Sequence, residues 1–561
     1  MRVFVKLTFL VTVSFLVALR PAGVYARSAE STAGLVIADS ELATQAGMEM
    51  LRRGGNAVDA AIATALALSV VDQAASGLGG GGFMLIYRAK DKKSFALDFR
   101  ETAPAASRRE LYFKDGKPAP TLSLTGGLAV GVPGEVAGLL EAQKKFATLT
   151  LPVLAAPAIK LAADGFPVDP ALRFAIERQQ ANMKRFAELG GIFAPDGKVP
   201  KEGDVIRQPE LAESLKAIAQ QGAGVFYQGW IGQAIVDTVK NAGGVMTMED
   251  LKSYRPLWRE PLIGSYRRLS VITMPPPSSG GVALLQMLNV LEGYKLGEFK
   301  HNSSFYLHLL AETMQHAYAD RAAYLGDPDF VHVPIRKLTA KPYAAWIRGR
   351  MAPDKTRAPA YYGYFNYYAE KGGTTHFSVI DRFGNAVACT QSVNTRFGSK
   401  LMAAKTGIVL NNEIDDFAIH PESGNLYGLT GNQANALAPK KRPLSSMSPT
   451  IVLDGNRPRL VVGAAGGPRI INATLQTIIN VLDFGMAVDQ AVEAGRVHHQ
   501  WLPARLNVEA QIDAESKRAL EQLGHKLREQ NGLGVVQAIT WDGSTMRGAA
   551  DSRKTARARV E

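Results

Sequence analysis

Residues 371–381, Lys-Gly-Gly-Thr-Thr-His-Phe-Ser-Val-Ile-Asp, constrain this chain more than any other stretch. Two glycines permit backbone geometry closed to other residues. The run that follows alternates, with Thr375, Phe377 and Val379 on one face and His376, Ser378 and Ile380 on the other. That is the period of a strand. Thr374 therefore stands where a loop becomes a sheet. On spacing alone this is a turn leading into a strand, and a threonine there needs no further explanation.

The rest of the chain has globular composition. It has 561 residues, 46% of them hydrophobic and 20% charged, and no low-complexity tract or repeat divides it. The first 26 residues differ: Arg2 and Lys6 precede an apolar run from Leu7 to Leu19, and Val24-Tyr25-Ala26 offers small residues for cleavage. This pattern predicts a secretory signal peptide. The run is shorter than the about 20 apolar residues a membrane anchor needs. The formal charge of +13 stays positive without that segment, but its lysines and arginines are dispersed outside the tail Arg553–Arg559, which argues against nucleic acid as a partner. Cys389 is the single cysteine. It allows no intrachain disulfide, and its apolar neighbours predict buried core.

Taken in order, Gly34–Ala38 reads as a strand and Ser40 as the cap of a helix through Leu51. Residues 56–71 are too apolar for a surface helix and predict one packed against a sheet. The glycine run 77–82 precedes a strand, whereas a phosphate-binding loop precedes a helix, so it predicts close backbone approach and no nucleotide site. Residues 130–350 read as mostly helical, with no site residue standing out. Pro275 to Gly281 reads as a structural loop, and Ala352–Ala369 as a flexible approach to Thr374. Strands return after Thr374, then helices near 470–482, 487–494 and 514–523, and a last strand at 535–541. Strand blocks flanked by helical blocks predict two packed sheets with helices outside. His498-His499 is an adjacent pair with no nearby residues to complete a metal site, and no metal or organic cofactor is expected.

The segment around Thr374, and those on either side of it, resemble the γ-glutamyltranspeptidase family over Gly34 to about Gly548. The resemblance implies an α+β fold, the four-layer αββα sandwich of the N-terminal nucleophile hydrolases. It implies a precursor that cuts itself between Gly373 and Thr374, giving a large subunit (27–373) and a small one (374–561) that form one interleaved domain. Thr374 would then be the nucleophile. The free α-amine, with a reference pKa of about 7.7–8.0, would supply the base that a threonine hydroxyl needs.

Further matches carry further roles by the same resemblance. Ser392 corresponds to a hydroxyl residue beside the nucleophile, often threonine. Arg100, in Asp98-Phe99-Arg100-Glu101-Thr102-Ala103-Pro104, would grip the substrate's α-carboxylate with Ser445 and Ser446; a planar guanidinium suits two-point binding. Asn394, Glu413 and Asp416 would receive its ammonium group. Gly466 and Gly467 would form an oxyanion hole. Tyr427 would lie on a lid loop within Ala418–Lys441, which favours small γ-glutamyl substrates. The expected protein is a secreted, periplasmic or extracellular γ-glutamyltransferase, acting on glutathione and related γ-glutamyl compounds with amino-acid or dipeptide acceptors. Two other readings compete. One is a glutaryl-type (cephalosporin) acylase of the same superfamily, which has no use for an ammonium pocket; the other is a secreted binding protein without catalysis.

Overall fold

A computed structural model describes residues 27–363, 373–419 and 433–555. The expected signal peptide and Tyr427 fall outside them. Two antiparallel sheets form the centre. The six-stranded sheet runs Gly34–Ala38, Thr375–Asp381, Ala386–Ser392, Gly81–Arg88, Lys93–Phe99 and Leu257–Arg259. The seven-stranded sheet runs Arg27–Ser31, Met546–Ala550, Val535–Trp541, Arg457–Ala465, Thr450–Asp454, Leu269–Thr273 and Leu262–Tyr266.

Residues 375–381 form the strand that the alternation predicts, and it is buried on both faces. Phe377 and Val379 join the cluster between the six-stranded sheet and the helices outside it. Ile380 joins the cluster shared by the two sheets and the opposite helices. On that same inner face the Ser378 hydroxyl bonds the Gln537 carbonyl across the sheets at 3.1 Å. Helices Glu41–Arg52, Ala57–Val71, Glu135–Phe146 and Leu151–Asp164 cover one side, and Gly280–Leu291, Ser304–Tyr324 and Arg469–Leu482 the other. This is the expected αββα order.

Ala57–Val71 is buried along its whole length. Asn56 and Asp59 close its N-terminus with a reciprocal capping box, satisfying amides that would otherwise be stranded in an apolar layer. Ser40 does occupy an N-cap position, but its hydroxyl makes no cap bond.

One departure from the sequence reading lies in the region read as mostly helical. Leu257–Arg259, Leu262–Tyr266 and Leu269–Thr273 are strands; the first ends the six-stranded sheet, the second ends the seven-stranded sheet, and the third lies next to the second. They are three to five residues long, too short for periodicity to distinguish from loop.

The sheets approach closely where Gly463 faces the His376 ring; a β-carbon there would lie 2.3 Å from His376 Cε1. Burial pushes the His376 imidazole down to about 3, so it stays neutral, and its nitrogens bond Thr390 Oγ1 at 2.8 Å and Ser378 Oγ at 3.2 Å. It is a polar spacer between sheets, not a base. Gly463→Ala should therefore destabilise the protein by about 1–3 kcal/mol, the usual cost of overpacking a core. A lower denaturant midpoint with unchanged slope would show it; an unchanged midpoint would mean that the ring moves aside freely.

Candidate active site

The sheet register brings Thr374 beside Ser392. Strand 386–392 pairs with strand 375–381 so that Gln391 faces Thr375, and the next step places the two hydroxyls 3.2 Å apart. Both converge on the Gly373 carbonyl, Thr374 Oγ1 at 2.8 Å and Ser392 Oγ at 3.0 Å. Ser392 Oγ also accepts from the Asn394 amide at 2.8 Å, while the Gly373 amide donates to Asn394 O at 2.8 Å. Asn394 adopts the left-handed region with φ 71°, which lets this loop fold back on the 373–374 peptide. Gly80 is needed behind it, because a β-carbon there would meet Ser392 O at 2.0 Å. This is the close approach that the glycine run predicts.

Arg100, Thr374, Ser392, Asn394, Glu413, Asp416, Ser445, Ser446 and Gly467 all line one pocket. Gly466 lines an adjoining cavity that also touches Gly373 and Thr374. Thus every sequence-predicted site residue within the described chain reaches the neighbourhood of Thr374. Gly466 and Gly467 have φ 129° and 62° and lead into helix Arg469–Leu482, where amides can face a developing anion.

The pocket's far end is ionic. Arg100, 1% exposed, sends one terminal nitrogen to Glu413 Oε2 at 2.8 Å and the other to Asp416 Oδ2. Its Nε donates to Pro443 O at 3.3 Å, and Glu101 lies 3.7 Å from Nη1. Burial works against the guanidinium's charge, but Glu413, Asp416 and Glu101 outweigh it and raise its pKa. Burial raises the Glu413 carboxyl well above the usual range against the pull of Arg100, and lifts Glu101 to about 8. In the sequence reading Arg100 and the two acids are separate receptors for opposite charges. In the structure they form one cluster. The α-ammonium and α-carboxylate of an amino acid share a carbon, and a single mixed-charge cluster has groups of both signs to offer such a head. Glu413 and Asp416 occupy a 3-10 turn, in which Asp415 turns away to accept from Ser123 at 2.7 Å.

The Ser445 backbone is held by the loop 275–281. The Ser445 amide donates to Pro277 O at 2.9 Å, and Ser279 donates twice to Ser445 O, at 2.7 and 2.6 Å. The sequence reading treats this loop as structural, and so it is, but it holds the backbone of a serine that lines the pocket. Residues near the site that sequence reasoning missed include Arg321, bonded to Ser446, and Asp39, which accepts from Thr375 Oγ1 at 2.7 Å. Asp72, paired with Lys554 at 2.5 Å, walls the adjoining cavity. Of the basic tail, Arg553 is buried against Glu509 and Asp551, a contact that charge spacing does not show. Cys389 is fully buried, and burial raises its thiol pKa far above the usual value.

His498 and His499 are buried, bonded to Asn472 and to the Trp501 amide respectively. Among the described residues, His308, Glu312 and His525 form a grouping with metal-ligand spacing. Two of their nitrogens are hydrogen-bonded at 2.8 Å, closer than the about 3.3 Å that two nitrogens sharing a tetrahedral zinc require.

The family model for gamma-glutamyltranspeptidase matches residues 43–560. The chain belongs to the gamma-glutamyltranspeptidase family. Curated relatives within it include the glutathione hydrolase proenzyme of Escherichia coli K12, 43% identical over 93% of this chain and 90% of that protein. The glutathione hydrolase proenzyme of Pseudomonas sp. strain A14 is 42% identical over 90% and 88%. Among solved structures, the cephalosporin acylase of Bacillus halodurans superposes with a TM-score of 0.83 at 29% identity, covering 96% of this chain and 98% of that one. The gamma-glutamyltranspeptidase of Helicobacter pylori gives 0.56 at 41% identity over 57% and 91%. Family membership and these superpositions agree with the αββα architecture. No helix among the described residues is long and apolar enough to cross a membrane.

Proposed function

We propose that this protein is a γ-glutamyltransferase and glutathione hydrolase made as a precursor that cuts itself between Gly373 and Thr374. One observation carries the reading: the Thr374 and Ser392 hydroxyls meet at the Gly373 carbonyl, and both line a pocket shared with Arg100, Glu413 and Asp416. In maturation Thr374 Oγ1 attacks the Gly373 carbonyl carbon, and the acyl group moves from nitrogen to oxygen. Water then opens the ester, leaving residues 27–373 and 374–561 as subunits of one domain. The hydrogen bond from Ser392 withdraws charge from the carbonyl oxygen as it becomes an oxyanion.

In turnover the new α-amine takes the Thr374 hydroxyl proton and returns it to the leaving amine. Thr374 attacks the γ-amide carbonyl of a donor such as glutathione, whose α-ammonium faces Asn394, Glu413 and Asp416 and whose α-carboxylate faces Arg100, Ser445 and Ser446. Amides of Gly466 and Gly467 receive the oxyanion. The γ-glutamyl ester passes to water or to an amino-acid or dipeptide acceptor. Secretion into the periplasm or medium follows from the N-terminal signal pattern. The acylase reading has no use for the acidic half of the pocket, and a binding protein has none for a hydroxyl pair on a peptide carbonyl.

Denaturing electrophoresis together with release of aniline from a γ-glutamyl anilide, with and without glycylglycine, tests the proposal. Two fragments and an acceptor-stimulated rate are expected; a single inactive chain refutes it. Ser392→Ala should slow maturation by about 10- to 100-fold, the worth of one lost hydrogen bond to developing charge. A time course of fragment appearance measures this, and maturation at the parental rate removes Ser392 from the step.

A further inference from the structure

Arg321 lies on helix Ser304–Tyr324 and is 4% exposed. Its Nε donates to Ser279 Oγ at 2.9 Å and its Nη2 to Ser446 Oγ at 3.3 Å. Among the described residues its guanidinium has these hydroxyl partners and no carboxylate at ion-pair distance. Burial pulls its pKa down to about 10, so it remains a cation at neutral pH. Buried guanidinium groups are ordinarily paired with an acid, and the nearby Asp416 is engaged by Arg100.

Ser279 spends its proton on Ser445 O at 2.6 Å. Ser446 Oγ accepts from Arg321, which leaves its own proton to be donated, and Ser446 lines the pocket with Ser445 and Gly467. The terminal nitrogens of Arg100, meanwhile, already face Glu413 and Asp416. Arg100 therefore brings little uncompensated positive charge to the pocket, and Arg321 lies one hydroxyl behind it.

We infer that Arg321 is a positioning residue for the donor's α-carboxylate, fixing the Ser446 hydroxyl as a donor and supplying the buried positive charge that the carboxylate offsets. This rests on the donor-site reading above. A negatively charged α-carboxylate is then a specificity requirement, and neutral analogues are discriminated against through Arg321.

The test compares two anilide donors, γ-glutamyl anilide and the same compound with its α-carboxylate converted to carboxamide. They are assayed on the mature parent protein and on Arg321→Gln, Arg321→Lys and Ser446→Ala. The parent should favour the carboxylate by about 10- to 100-fold or more in kcat/KM, the range for hydrogen bonds to a charged group. Arg321→Gln should raise KM for the carboxylate donor by a similar factor with a smaller change in kcat, and should abolish most of the preference. Arg321→Lys should keep part of it. Equal losses on both donors, with the preference intact, would mean a merely structural arginine and overturn the inference. If Arg321→Gln fails to mature, the comparison falls to Arg321→Lys and Ser446→Ala, and an undiminished preference in both overturns it equally. A parent protein indifferent to the carboxylate would instead refute the donor-site reading itself, so the two failures are distinguishable.

Discussion

Thr374→Ala yields a single uncut chain with turnover reduced by at least about 10³-fold, the scale on which loss of a nucleophile acts. In the proposed mechanism one hydroxyl serves twice. It lies 2.8 Å from the carbonyl oxygen of the peptide to be broken, and no other hydroxyl at the junction has both that proximity and the bond to an amine that cleavage would release. Ser392 is as close to the carbonyl, but attack by Ser392 would not yield a nucleophile carrying its own base. The decisive companion experiment co-expresses residues 27–373 with a separate fragment whose first residue is Thr374. Activity should appear without self-cleavage, since the α-amine is then already free. If a cleavage-blocked precursor turns over the anilide at the mature rate, the amine is not the base.

Arg100→Lys and Asp416→Ala are expected to raise KM for a γ-glutamyl donor by about two to three orders of magnitude. Arg100 holds Glu413 and Asp416 with separate nitrogens of one planar group, and an ammonium cannot reproduce that fork. Asp416→Ala leaves part of a buried charge cluster unpaired, a loss of about 3–5 kcal/mol where water is excluded. Maturation should proceed in both, because the Gly373 carbonyl is engaged by Thr374 and Ser392 rather than by this cluster. Fragment yield on a denaturing gel and KM from initial rates separate the two effects. Normal donor affinity in a variant that matures normally would place the amino-acid head elsewhere.

Alternation in 375–381 predicts a strand, and the structure adds that its two faces meet different clusters, Phe377 in one and Ile380 in the other. The short strands 257–259, 262–266 and 269–273 were invisible, because each is fixed by its partners in a sheet and not by its own pattern. Arg321 is not legible in the sequence, because an arginine within a helical run carries no local mark of what lies across the fold from it.

The sequence by itself determined the strand at Thr374, the glycine run that lets backbones meet, the buried cysteine, and, through resemblance, the residues gathered around Thr374. These are local properties, set by backbone freedom, side-chain period and motif. Only the tertiary structure decided that Arg100, Glu413 and Asp416 form one cluster rather than two receptors. It alone placed Ser392 on the Gly373 carbonyl, and a buried cation from a distant helix behind Ser446. Pairing of charges depends on distances between segments hundreds of residues apart, and those distances are set by how the two sheets pack.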